Sequence, residues 1–237
     1  MGRGTLLWAA SGGVLGLVAL GLWLVPFDLG SVQVQQAAIA ALVVATGWFA
    51  GFMLREISQQ LDRQERLRDA HRALFAEIKH NVENLGSAED LKSFGGSMLA
   101  RIVEGDGFAP FIPRERNDTV FAALLPNIHI LPRATIDPVV QYYSQLAAQD
   151  ALADDMRGES FRTMSPQRRA ALYRDYIGLK LRALDYGNEA LETIDAYARA
   201  GARRAGAASE RIRKARAERV KREREAEVRA AGGGAQG

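Results

Sequence analysis

The fold is decided by one stretch, Ala37 to Leu85, which reads AAIAALVVATGWFAGFML and then REISQQLDRQERLRDAHRALFAEIKHNVENL. The first part contains no charged residue, and about 20 helical residues at a rise of 1.5 Å each cross the hydrocarbon core of a membrane. The second part, from Arg55, contains no proline and is rich in the helix formers Glu, Gln, Arg, Leu and Ala. The stretch therefore predicts a membrane span that continues as one long helix and ends at Gly86.

A second apolar run precedes this stretch. Thr5 to Pro26 is uncharged and long enough for a full span, and only Phe27–Gln36 separates the two runs. So short a link, opened by a proline, predicts a transmembrane hairpin over residues 1–54, with spans of about 5–26 and 37–54. The alternative is a cleaved signal peptide, but the first run exceeds the roughly 7–15 apolar residues of such a peptide.

The flanking charges predict the orientation of the hairpin. Arg3 precedes the first span, the loop contains Asp28 and no basic residue, and five arginines follow the second span between residues 55 and 72. Because basic residues favour the cytoplasmic side, both termini are expected to be cytoplasmic. The sequence thus predicts a multi-pass protein of the bacterial inner membrane.

Each predicted span contains two glycines four residues apart, Gly12 with Gly16 and Gly47 with Gly51. Such pairs form a shallow groove that allows another helix to approach closely. They predict helix packing, either between the two spans or between copies of the chain. Neither span contains an ionisable residue in its interior, which argues against an ion pathway.

Residues 55–198 are expected to form an all-α cytoplasmic bundle, since no alternating strand pattern of useful length occurs. Ser87 and Asp90 resemble a capping box, and Asp137-Pro138 and Ser165-Pro166 each place a capping residue before a first-turn proline. The helices expected after the long first helix are Ala88–Val103, Thr119 to about Leu125, Val139–Asp155, and a last helix after Pro166 with an apolar face to Tyr197.

Residues 199–237 are expected to form a charged helical tail that ends in a disordered, glycine-rich terminus. Residues 199–230 contain twelve Lys and Arg against five Asp and Glu, a net charge of +7, and only three large apolar residues. The tail is therefore predicted to be a helix without a core, either simply solvated or bound to anionic lipid headgroups. Nucleic acid is the less favoured partner, because glutamates interrupt the basic residues and no aromatic side chain is available for stacking. The predicted membrane-surface contacts are Arg203, Arg204, Arg211, Arg213, Lys214 and Arg216.

Chemical motifs are scarce. The chain has no cysteine and no phosphate-binding, zinc-hydrolase or serine-nucleophile motif, so no catalytic residue, metal ligand or cofactor is predicted. Glu77 and His80 form a single E-x-x-H pair, whereas di-iron bundles use two.

A candidate polar site comprises Glu77, His80, Asn81 and His129. The favoured interpretation is that Glu77 and Asn81 hydrogen-bond a neighbouring loop or helix end near Pro126–Leu131. The alternative interpretation is a small binding site.

Two segments resemble an uncharacterised group of bacterial inner-membrane proteins. They are LFAEIKHNVENL (Leu74–Leu85), similar to an L-x-x-E-I-x-x-N-x-x-x-L helix, and FAALLPNIHILPRATIDPVVQYYSQL (Phe121–Leu146), similar to a Leu-Pro turn followed by a V-V-x-Y-Y helix. The resemblance implies N-terminal membrane spans with a small helical cytoplasmic domain. It implies no activity.

The sequence therefore predicts a membrane-anchored interaction or scaffold protein rather than an enzyme. Its expected partners are the lipid bilayer and either a second copy of itself or another membrane protein. One alternative is a membrane-permeabilising, holin-like or toxin-like protein, although pore formation needs no cytoplasmic domain of the size of 55–198. A membrane-tethered enzyme without a recognisable motif is the second alternative.

Overall fold

A computed structural model of the chain describes residues 31–105, 108–113 and 117–233. The structure is all-α, as predicted, and 91% helical. The first expected span, with Gly12 and Gly16, and residues 27–30 of the expected hairpin loop lie outside the described residues, as does the end of the glycine-rich terminus at 234–237. The rest of the expected loop is helical from Val32, so the second apolar helix begins earlier than predicted. The helices are α1 (Val32–Leu85), α2 (Ala88–Glu104), α3 (Thr119–Leu124), a 3₁₀ segment (Leu125–Ile130), α4 (Arg133–Arg157), α5 (Glu159–Thr163) and α6 (Pro166–Gly233).

The chain divides into two compact units, Met1–Leu61 and Asp62–Gly237. In the first unit, the apolar part of α1 is exposed: Trp48 is 71% accessible, and none of the most apolar stretch is buried. Within the described part of the chain, α1 is the one helix long and apolar enough to cross a membrane. The predicted second span of the hairpin thus forms a helix of suitable length.

The second unit is a bundle in which α4 packs along α6. Leu74 and Ile78 of α1 are fully buried with Val139 and Tyr142 of α4, so the distal part of α1 belongs to this core. A Cβ atom on Gly187 of α6 would lie only 2.5 Å from Cγ2 of Val82, which shows how closely α6 approaches α1.

A second cluster of apolar residues joins α2, α4, α5 and α6. Its buried members are Ile102, Ile112, Ala153, Met156, Phe161, Ala170, Tyr173, Tyr176 and Ile177. The irregular segment before α3 lies over this cluster, since the Arg157 Nε atom donates to the Ile112 carbonyl at 2.9 Å and the Arg169 Nη1 atom donates to the Phe108 carbonyl at 2.9 Å. The described residues 108–113 therefore lie across this end of the bundle.

Two helix starts follow the expected local chemistry. The Asp90 amide donates to Ser87 Oγ at 3.0 Å, and Gly86, which ends α1, has a φ of 74° that suits glycine. The Arg168 amide likewise donates to Ser165 Oγ at 3.4 Å at the start of α6. Both starts were predicted from residues close together in sequence.

The predicted start of α4 is wrong. The helix begins at Arg133, directly after Pro132, and Pro138 lies inside it and is fully buried. A proline removes one backbone hydrogen bond from a helix. The helix nevertheless continues through Pro138 because Thr135, Pro138 and Val139 are all buried in the core.

The expectation of a tail without a core is wrong for its first part. Gly201 has φ 75° and ψ −175°, which breaks α6 into arms 166–200 and 202–233. A hydrogen bond between Ser209 and Glu189 brings the second arm back onto the first, and Ala205 is fully buried. Small side chains at 205 and 209 permit this close approach, so the tail is partly packed.

Candidate functional site

Glu77 lies at the centre of a polar cluster on the bundle side of α1. Its carboxylate accepts hydrogen bonds from the backbone amides of Val120 and Phe121, at the start of α3, and from the Tyr143 hydroxyl at 2.7 Å. A carboxylate placed at the first amides of a helix satisfies donors that have no partner inside the helix. Asp118, the residue before α3, makes no side-chain capping bond there, so Glu77 takes that role from a distant position in the chain.

Asn81 lies one turn further along α1 and is buried. Its Nδ2 atom donates to the Asn117 carbonyl at 2.8 Å. Glu77 and Asn81 therefore hydrogen-bond a neighbouring helix start, which agrees in kind with the favoured interpretation. The position differs, because the partners are residues 117, 120 and 121 instead of Pro126–Leu131.

The two histidines of the candidate site are not drawn into this cluster. His80 is exposed, with its Nε2 atom 3.1 Å from Asn84 Nδ2, and His129 is exposed in the 3₁₀ segment. Within the described ranges, no three His, Asp or Glu side chains are close enough to hold a metal ion.

A second polar group lies on α4 and was not predicted from the sequence. Tyr142 and Gln149 are buried two turns apart on one helix face. Asn81 interacts with the Tyr142 hydroxyl as a donor, but the hydroxyl hydrogen has no acceptor and Gln149 Oε1 has no donor. An unpaired buried polar group costs about 1–3 kcal/mol, so such groups are uncommon in folded proteins. The available signal was Gln149 itself, a polar residue at helical spacing between the apolar Leu146 and Ala153.

His71 occupies a groove of about 580 Å³ between α1 and the first arm of α6. The groove is lined by Gln64, Leu67, Arg68, His71, Arg72, Phe75, Ile194, Asp195, Tyr197 and Ala198. The His71 ring meets the Tyr197 ring edge-on, with their centroids 5.0 Å apart. Burial lowers the pKa of His71 to about 4, so its ring is neutral at pH 7.

A short hydrogen-bond chain orients this neutral ring. The Thr135 hydroxyl donates to the Pro132 carbonyl at 3.1 Å, and His71 Nε2 lies 3.0 Å from the same hydroxyl oxygen. Because the hydroxyl has one hydrogen, Nε2 has to be the donor to Thr135, which assigns the neutral tautomer. His71 thereby joins α1 to the first turn of α4.

The folded tail is held by a buried carboxylate. Glu189 is fully buried, and its oxygens accept from Ser209 Oγ and Arg213 Nε, each at 3.0 Å, and from Arg216 Nη2 at 2.5 Å. A buried charge is tolerated when it is paired and hydrogen-bonded in this way.

Two exposed ion pairs and one ring contact support the same interface. Arg211 pairs with Glu192, and Arg219 pairs with Asp185. The Arg216 guanidinium also lies 4.3 Å above the ring of Tyr186, within the range of a cation–π contact.

The six predicted membrane-surface residues thus fall into two groups. Arg211, Arg213 and Arg216 each pair with a carboxylate of the first arm, whereas Arg203, Arg204 and Lys214 are exposed and have no ion-pair partner among the residues described. Contact with anionic lipid stays a prediction for all six. The exposed three are free for it without disrupting the tail.

Gly47 and Gly51 lie on an open helix surface. A Cβ atom added to either would have no neighbour within 4 Å. The groove that they form is therefore unoccupied by the described chain, and helix packing there stays a prediction.

Comparisons of the chain with protein-family models, with curated proteins and with solved structures found no match. The resemblance to a group of inner-membrane proteins accordingly stays a prediction.

Replacement of Glu189 is expected to release the tail. Glu189→Gln leaves Arg213 and Arg216 without their carboxylate and is expected to cost roughly 3 kcal/mol of unfolding free energy. The exposed partner of Arg211 provides the matched control, since Glu192→Gln is expected to cost less than about 1 kcal/mol. Urea unfolding measures both values, and faster trypsin cleavage after residue 201 reports release. Equal losses in the two variants would contradict the assigned role of Glu189.

His71 is expected to make stability depend on pH. Unfolded His71 binds a proton below its usual pKa of 6.5, whereas the buried ring binds one only near pH 4. The free energy of unfolding should therefore fall as the pH decreases from 6.5 to 4, by up to about 3 kcal/mol at 1.4 kcal/mol per pKa unit. In urea unfolding, the unfolding free energy of His71→Gln should depend less on pH than that of the parent chain. The control His129→Gln, which replaces an exposed histidine, should show the same pH dependence as the parent. An unchanged pH dependence in His71→Gln would rule out this origin.

Proposed function

We propose that this chain is a membrane-anchored helical protein whose bundle, on the cytoplasmic side of a bacterial inner membrane, serves as an interaction or scaffold module. The observation on which the proposal rests is the exposed apolar part of α1. Val43, Val44 and Trp48 are 64–71% exposed in a segment without charged residues. An apolar surface of this length is unfavourable in water and is typical of a membrane or interface segment.

Three further features support the interpretation of the apolar part of α1 as a membrane anchor. Arg55 marks the end of the apolar segment, and five arginines occur by residue 72. Trp48 stacks on Phe52, with their ring centroids 6.3 Å apart, close to the charged end where aromatic side chains favour the headgroup region. Buried residues of α1 begin only at Ala70, near the end of this basic segment. The lipid bilayer is therefore the first partner, and the exposed basic residues of the tail would meet its anionic headgroups.

Self-association through the open face of the anchor is the interaction that the structure favours. Gly47 and Gly51 leave a groove without a neighbouring atom, and small residues four apart allow helices to approach closely in a membrane. The second partner that we propose is accordingly another copy of this chain.

The topology follows from the charge distribution and is testable with reporter fusions. A reporter fused after Gly237 is expected to behave as cytoplasmic, and one inserted at Gly30 is expected to behave as exported. Alkaline phosphatase, which reports export, and a fluorescent protein, which reports the cytoplasm, are each placed at both positions. The two reporters should give opposite signals at each position. A cytoplasmic signal at Gly30 would contradict the hairpin, and an exported signal at Gly237 would contradict the localisation of the bundle.

Association of the anchor is testable by disulfide crosslinking, because the chain has no natural cysteine. Ala40→Cys, seven residues before Gly47, lies on the glycine face and is expected to give a crosslinked dimer in membranes. Leucine at both Gly47 and Gly51 fills the groove and should reduce the crosslink several-fold.

The matched control places leucine at Ala41 and Ala45, two small residues with the same spacing on another face. This control should crosslink as well as the parent. Equal crosslinking in all three chains would show that the glycines do not form the contact.

A further inference from the structure

A partly enclosed cavity of about 250 Å³ lies beside the Glu77 and Asn81 cluster, within the bundle formed by α1, α4 and α6. Its polar lining consists of Asn81, Asn84, Asn117, Tyr142, Gln149 and Lys180, and two leucines complete the wall. All the lining residues belong to one compact unit of the chain, Asp62–Gly237.

Two polar groups of this lining lack a partner that they need. Tyr142 is fully buried and Gln149 is 3% exposed; Asn81 interacts with the Tyr142 hydroxyl as a donor, but the hydroxyl hydrogen has no acceptor and Gln149 Oε1 has no donor. Neighbouring groups are satisfied, since Tyr143 donates to Glu77 and Asn81 donates to Asn117. The unpaired groups are also complementary, because a phenol donates a hydrogen bond and an amide oxygen accepts one.

The charge of the lining indicates the sign of a ligand. Lys180 is its one charged residue, and no carboxylate lies within ion-pair distance of Lys180 in the described part of the chain. The Lys180 ammonium instead lies 5.2 Å from the centroid of the Tyr176 ring. Burial raises the pKa of Tyr142 to about 12, so its hydroxyl keeps its hydrogen at neutral pH.

We propose that this cavity binds a small hydroxycarboxylate. The carboxylate accepts hydrogen bonds from Lys180 and from the Tyr142 hydroxyl, and a hydroxyl group of the same molecule donates to Gln149 Oε1. The volume equals that of about eight water molecules at roughly 30 Å³ each, which suits a three- or four-carbon acid. This site goes beyond the proposed anchoring and interaction function and does not depend on it.

Binding is testable with three small molecules that separate charge from hydroxyl groups. The full-length chain, solubilised in detergent, is titrated with glycerate, propionate and glycerol by isothermal calorimetry and by thermal unfolding. Glycerate is expected to raise the Tm and to bind at least tenfold more tightly than propionate, which lacks the hydroxyl groups. Glycerol, which lacks the charge, is expected to leave the Tm unchanged.

A matched pair of tyrosine variants separates binding from folding. Tyr142→Phe is expected to weaken glycerate binding at least tenfold, while its Tm without glycerate stays about equal or rises, because the deleted hydroxyl hydrogen has no acceptor. Tyr143→Phe is the control: it removes the hydrogen bond to Glu77, so the Tm should fall while glycerate affinity is retained. Lys180→Met is expected to lose glycerate binding as well.

Three results would overturn the proposal. They are the absence of glycerate binding to the parent chain, equal affinity for glycerate and propionate, and unchanged glycerate affinity in both Tyr142→Phe and Lys180→Met.

Discussion

The bundle depends on one constraint, namely that the buried face of α1 alternates apolar and polar residues. Leu74 and Ile78 are fully buried, and His71, Glu77 and Asn81 lie along the same stripe. A buried polar group without a partner is costly, so each of these three has to meet a complementary group on another element. The positions of the segments packed against α1 follow from this requirement.

Each polar residue of the stripe is paired with a different part of the chain. His71 meets Thr135 in the first turn of α4, Glu77 meets the first amides of α3, and Asn81 meets the Asn117 carbonyl. Three hydrogen-bonded contacts thus order the segment 117–135, which otherwise consists of short helices and turns. Specific polar pairing supplements apolar burial here and gives the packed helices a defined register.

The same rule explains the tail. Residues 199–230 have a charge of +7, yet the arm after Gly201 returns to the bundle because Glu189 is buried and needs cationic partners. Arg213 and Arg216 satisfy that carboxylate, while Arg203, Arg204 and Lys214 remain exposed. The tail therefore combines an inner face that stabilises the bundle with an outer basic face that suits an anionic surface.

Two parts of the molecule lack a complementary partner within the described chain. Both proposals arise from them. The apolar part of α1 is exposed without an apolar partner, and the Tyr142 hydroxyl hydrogen and Gln149 Oε1 are buried without a hydrogen-bond partner. A bilayer and a second anchor helix are the proposed partners of the apolar helix. A small molecule with a complementary acceptor and donor is the proposed partner of the two polar groups.

Features that depend on neighbouring residues could be predicted from the sequence. The apolar run of α1, the helix starts at Ser87 and Ser165, and the all-α class follow from periodicity, capping chemistry and the absence of alternating patterns. The bonding role of Glu77 and Asn81 was also predictable, because polar residues beside a buried stripe need partners. Their actual partners were not, since those lie 36 to 44 positions away along the chain.

The start of α4, the return of the tail and the cavity beside Asn81 depend instead on contacts between residues that are distant in the sequence. Local rules placed the start of α4 at Val139, but burial of Thr135 and Pro138 outweighs the hydrogen bond that the proline removes. Gly201 permits a positive φ without requiring one, so the kink depends on the stabilisation that Glu189 gains from the returning arginines. The unpaired Tyr142 and Gln149 are a property of packing among three helices, because a side chain's sequence neighbours do not determine which atoms enclose it.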